Sequence, residues 1–153
     1  MTSTFDLYTR VRSLPLGDRL FSLAFALKAP YFRTVRPQVT LMDRHQAEVV
    51  VRKRWGVQNH IGTVHAIAVC NGLEAAMGLL AEATVPAGHR WLPKGMEVEY
   101  LAKSTSDLVC RAETTESDWA GAPDVPVTVT ATRDDGTVVV RGTINLWVTP
   151  TGR

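Results

Sequence analysis

Between Asn59 and Glu74 the chain reads Asn-His-Ile-Gly-Thr-Val-His-Ala-Ile-Ala-Val-Cys-Asn-Gly-Leu-Glu, and Asn59, His65 and Glu74 supply its polar, chemically useful groups. The stretch passes from a glycine-bearing loop into good helix formers, which places His65 near a helix start. The first N–H groups of a helix are unpaired and carry a partial positive charge, a setting that suits a developing oxyanion. Glu74 follows nine positions after His65, about two and a half turns along a helix of ~3.6 residues per turn. Asn59 can donate from its amide to a water or a carbonyl. Gly62 suits an unusual backbone conformation or a close approach of substrate. Donors at one end and an acid within the helix make a candidate hydrolytic site.

The rest of the chain must hold that junction in place. At 153 residues, one domain with a sizeable core is expected. A net charge of +2 is too small to argue for nucleic acid as the main ligand. The two cysteines, Cys70 and Cys110, sit among apolar neighbours without zinc-type spacing. They read as reduced core thiols of a cytoplasmic protein, and no metal is expected. The apolar run Leu20–Leu27 falls short of the ~20 residues of a spanning helix and is flanked by Arg19 and Lys28, so it reads as a buried helix and no membrane partner is expected.

Thr4–Arg12 and Gly17–Lys28 have helical apolar spacing, interrupted by Pro15 and closed by Pro30. Val39–Asp43 and Ala47–Arg52 read as two strands around a turn, and Trp55–Thr63 as a loop. His65–Ala83 is rich in Ala, Leu, Met and Glu and reads as the long helix. Gly72 and Gly78 weaken it by about 1 kcal/mol each relative to Ala, so close packing against a sheet is expected there. Met96–Ala102, Leu108–Thr114, Val125–Arg133 and Thr137–Val148 read as strands, the last two joined at Asp134-Asp135-Gly136. The loop Ser117–Pro126 is expected to cap a sheet edge. This order implies an α+β fold with a long central helix wrapped by a curved antiparallel sheet. Residues 1–36 form an N-terminal helical extension and residues 37–153 the main domain.

Asn59, Gly62, His65 and Glu74, at these spacings and in this order of elements, resemble the hotdog-fold acyl-CoA thioesterases, in particular the phenylacetyl-CoA thioesterase-like branch. An uncharacterised hotdog family allied to it is similar also at Pro30-Tyr31-Phe32, Asn59–His65, Lys94-Gly95-Met96 and Tyr100. The resemblance spans roughly Phe21 to Val148. Two features depart from the thioesterase branch. Ala66-Ile67 stands where that branch has Gly-Gly, and no Ser or Thr equivalent occurs around Trp91–Met96.

The resemblance implies thioester hydrolysis without a cofactor. Glu74 would be general base or nucleophile, and the Ala66 N–H with Asn59 would serve the oxyanion and the attacking water. His65 would act by orientation and Gly62 by close approach. Because coenzyme A brings phosphates, Arg52, Arg54 and Lys94 are expected to form a basic rim. Phe21, Phe25, Tyr31 and Phe32 are expected chiefly in the core. A homodimer or dimer of dimers follows, with Asn59 and Ala66 of one protomer facing Glu74 of its partner. The alternatives are a non-catalytic acyl-CoA-binding hotdog protein and an acyl dehydratase or hydratase.

Overall fold

Period-two alternation of β-branched residues in the C-terminal half builds the sheet of the computed structural model, which describes residues 3–152. Met1, Thr2 and Arg153, at the outer ends of the two expected segments, lie outside the described residues. Six antiparallel strands run in the order β1-β2-β4-β5-β6-β3: β1 is Gln38–Asp43, β2 Gln46–Val51, β3 His89–Tyr100, β4 Leu108–Glu113, β5 Asp124–Arg133 and β6 Val138–Pro150. The inward positions Val49, Val51, Cys110, Ala112, Val127, Val129, Ile144 and Leu146 are buried, while the positions between them are more exposed and mostly polar. The helix α3, Ala66–Thr84, lies across this inner face with Val69, Leu73, Ala76 and Leu80 fully buried. A long helix wrapped by one antiparallel sheet is the hotdog fold.

α3 is long and apolar enough to cross a membrane, yet 61% of its most apolar window is buried inside the domain. Its close seat depends on Gly72, where a Cβ would come within 2.6 Å of Val51 and 2.8 Å of the Cys110 sulfur. Cys110 is fully buried, and burial, reinforced by the nearby Cys70, pushes its thiol up to about 12. The thiolate is the reactive form, so native protein is expected to titrate with a colorimetric thiol reagent through Cys70 at most. Cys110 should react only after unfolding. Two reactive thiols per native chain would contradict this packing.

The N-terminal helices α1, Thr4–Val11, and α2, Gly17–Lys28, place Tyr8 and Phe21 in the same core, with their rings edge-on at 5.0 Å. A 3₁₀ turn, Pro30–Thr34, follows. α2 also blunts one sheet edge: the Ser22 hydroxyl accepts the Val39 N–H at 2.8 Å and donates to the Asp18 carbonyl at 2.6 Å. The opposite edge, β3, has no such cover among the described residues, and Leu92 and Tyr100 on it are 61% and 54% exposed.

Three local expectations are corrected. β3 begins at His89 rather than Met96, because Pro93 is tolerated on an edge strand and a register shift between Pro93 and Gly95 absorbs the irregularity. The segment expected to cap an edge contains a short helix, α4, Glu116–Ala120, and joins the interior strands β4 and β5. The expected loop Trp55–Thr63 contains a 3₁₀ turn, Trp55–Val57, and is closed by a Gln58–Val64 bridge. The β5–β6 turn matches its signal, with Gly136 at φ +84° and the Arg133 N–H bonded to the Thr137 carbonyl.

Candidate active site

The loop before α3 is built around one side chain. Asn59 Oδ1 accepts the backbone N–H groups of Ile61 at 3.2 Å and Thr63 at 3.1 Å, and its Nδ2 donates to Thr63 Oγ1 at 2.9 Å. This is an Asx-type turn, and Gly62 at φ +76° completes it. The amide expected to face substrate is therefore turned onto its own loop. Asn59→Ala should cost about 1–2 kcal/mol by stranding those donors, while Asn59→Asp retains the two acceptor contacts. Thermal melts should rank Ala well below Asp, and equal melting of the two would contradict a loop-holding role.

His65 is the N-cap of α3, its Nδ1 accepting the Ile67 N–H at 3.1 Å. Its own N–H bonds the Val57 carbonyl at 2.8 Å. The cap leaves the Ala66 N–H, at the first helical position, with no hydrogen-bond partner among the described residues. At the start of α3 lies a cavity of about 240 Å³ lined by Tyr31, Thr34, His65, Ala68 and Asn71, among others. Asn71 was not singled out as a site residue from the sequence. It is buried, its Nδ2 donates to Thr34 Oγ1 at 3.2 Å, and its Oδ1 has no partner. An orphaned buried acceptor costs ~1–3 kcal/mol, and this one is closed off from solvent.

Glu74 sits eight residues beyond Ala66, about 12 Å along the helix axis at ~1.5 Å per residue. Within one chain the helix-start donors and this acid are too far apart to share a reacting atom. Glu74 is half-buried and makes no hydrogen bond or ion pair among the described residues. It lines a cavity of about 440 Å³ with Phe25, Tyr31, Phe32, Met77 and Trp91. It also lines a smaller one of about 310 Å³ with Pro93, Lys94, Gly95 and Met96 on the open β3 edge. Phe21 is core as expected, while Phe25, Tyr31 and Phe32 wall the space beside the acid. One turn before Glu74, Cys70 Sγ and the Tyr100 hydroxyl meet at 3.3 Å, tying α3 to β3. That bond, together with burial, pushes the Tyr100 hydroxyl up to about 12.

The expected basic rim is not one cluster. Lys94 pairs with Asp124 and lies 4.6 Å from the centre of the Trp147 ring. Arg54 Nη2 donates to the Thr34 carbonyl. Arg52 holds Asp107 at 2.8 Å and lines a separate groove with Arg19, Arg33 and Arg36. Among the described residues no grouping of three or more His, Cys, Asp or Glu side chains is placed to hold a metal.

A family profile described as a domain of unknown function, DUF4442, matches residues 17–148. Among curated proteins none matches. A structural-genomics target of known structure is 40% identical, with a TM-score of 0.86, covering 97% of this chain and 99% of its own. A Pseudomonas aeruginosa protein of unknown function, described as a probable thioesterase, is 16% identical at TM-score 0.74, covering 90% of this chain and 97% of its own. A thioesterase family protein from Silicibacter pomeroyi is 19% identical at TM-score 0.71, covering 85% of this chain and 96% of its own.

Proposed function

The chain belongs to the DUF4442 family, and on its hotdog scaffold we propose that it is an acyl-CoA thioesterase working as a homodimer or dimer of dimers. The observation that carries this reading is Glu74, a half-buried carboxylate with no hydrogen bond or ion pair among the described residues, in the wall of a largely apolar cavity that Lys28 and Glu82 also line. An unpaired carboxylate facing such a cavity is free to act as general base or nucleophile. The cavity walls of Phe25, Tyr31, Phe32, Met77 and Trp91 suit an acyl or aryl group.

The ~12 Å between Ala66 and Glu74 along one helix supports a site shared between copies. The uncovered β3 edge offers the surface for a two-fold, antiparallel pairing, since an exposed strand edge readily adds a strand. In that arrangement the Ala66 N–H of one protomer polarises the thioester carbonyl. Glu74 of its partner activates water or attacks the carbonyl directly. His65 and Asn59 act as positioning residues: they cap α3 and hold the loop that presents its first N–H. Lys94, paired with Asp124, and Arg54, held on the Thr34 carbonyl, are left with supporting roles. The reduced thiols fit a cytoplasmic location within the same proposal.

The test is a thiol-release screen over short, medium, long and aryl acyl-CoAs. Turnover of at least one class, with one free acid formed per thiol, is the expected result. Binding of acyl-CoA without thiol release would favour the non-catalytic reading, and release of an enoyl product the dehydratase reading.

A further inference from the structure

A further cavity lies on the other side of the Pro30–Thr34 turn from Glu74, between α2 and the start of β1. It measures about 860 Å³, and its lining includes Arg19, Arg33, Arg36 and Arg52 but no acidic residue. Leu23, Ala26 and Pro37 supply an apolar floor. Among the described residues the side chains of Arg19, Arg33 and Arg36 form no hydrogen bond and no ion pair. Arg52 alone is engaged, through Asp107 and, more weakly, Gln38 at 3.5 Å.

Arg19, Arg33 and Arg36 carry unpaired positive charges that repel one another, with water and salt as screen, while Arg52 is already paired with Asp107. Unlike Lys or His, they cannot relieve that repulsion by losing a proton. An anion would pair with them directly, and planar guanidinium forks match phosphate oxygens two at a time. The apolar floor adds a place for a flat or aliphatic part of the same ligand. Thr34 lines both this groove and the cavity at the start of α3. Asn71, whose Nδ2 donates to Thr34 Oγ1, lines the second of these cavities.

We propose that the Arg19–Arg33–Arg36–Arg52 groove binds the phosphate groups of an organic di- or polyphosphate, and that this ligand is the nucleotide end of the acyl-CoA itself. The second clause rests on the thioesterase reading above. The carrier's phosphates sit among the arginines, its amide-bearing arm passes Thr34 and Asn71, and the thioester reaches the Ala66 N–H. The groove would thus select coenzyme A over a phosphate-free thioester.

Inorganic pyrophosphate and free coenzyme A are titrated calorimetrically into the full-length protein and into Arg19→Gln/Arg33→Gln. Both positions are exposed, and melting curves verify that the double variant is folded. The wild type should bind both probes, more weakly as salt is added, and the double variant about tenfold more weakly or worse. Arg90→Gln/Arg141→Gln, elsewhere on the surface, should bind like wild type. Failure of the wild type to bind either probe, or equal loss in the two double variants, overturns the groove. Kinetics then identify the source of the phosphate. KM for an acyl-CoA should rise about tenfold in Arg19→Gln/Arg33→Gln with kcat unchanged, while KM for the matching phosphate-free acyl-pantetheine stays constant. Lost pyrophosphate binding with unchanged KM assigns the groove to a free phosphate ligand and overturns the carrier assignment. If no thioester turns over, the thioesterase reading fails, and the two titrations still decide the groove.

Discussion

Replacing Glu74 by Gln is expected to lower thioester hydrolysis by about 10²- to 10⁴-fold, the span that a positioned general base contributes. A nucleophilic carboxylate would show at least as large a loss. The substitution keeps shape and volume and removes only the charge. Because Glu74 makes no hydrogen bond or ion pair among the described residues, no protein contact should be broken. The melting temperature should stay within a few degrees of wild type. Acyl-CoA binding should survive, giving a variant that holds substrate without turning it over. Full activity in Glu74→Gln would remove the acid from the mechanism.

The second large effect concerns the sheet. Gly142→Ala is expected to destabilise the fold by about 3 kcal/mol, at the upper end of ordinary overpacking. A Cβ at Gly142 would lie 2.0 Å from the Glu97 carbonyl oxygen and 2.8 Å from Val98 Cα. Both are backbone atoms of the paired β3 strand, so no rotamer change relieves the clash. For a chain of this size that corresponds to a fall of roughly 6–12 °C in melting temperature. The same substitution pushes β3 away from β6 and should weaken dimerisation through the β3 edge. A melting temperature unchanged from wild type would show that the two strands pair less closely than described.

Elements with a strong local period were legible in the chain itself. Alternation in β5 and β6, with Asp134-Asp135-Gly136 between them, specified a hairpin because turn chemistry and strand period agree. α3 was legible from its composition, and Gly72 marked its close approach to β2 and β4. The first half of β3 was hidden, because Pro93 and Gly95 are poor strand residues that only an edge position tolerates. The short α4 was hidden by the glycine and prolines that follow it.

The candidate site divides in the same way. The spacing from Asn59 to His65 to Glu74 pointed to one helix and its approach loop, and those residues lie there. Spacing along the chain does not report where a side chain turns. The Asn59 amide closes its own loop and Lys94 swings to Asp124. The arginine groove had no local signature at all: Arg19, Arg33, Arg36 and Arg52 come from α2, the 3₁₀ turn and its exit, and the end of β2. Tertiary packing alone brings them together.

The central claim is a hydrolytic site completed by two copies, the Ala66 N–H from one and Glu74 from the other. Ala66→Pro deletes that N–H at the first helical position, where proline is well tolerated; the preceding His65 already has the extended backbone that proline requires. Tagged Glu74→Gln and Ala66→Pro chains, co-expressed and purified as the mixed dimer, carry one intact site out of two if the site is shared. Each parent homodimer should be nearly inactive, and the mixed dimer should recover about half the wild-type rate of thiol release. A mixed dimer as inactive as its parents would contradict the shared site.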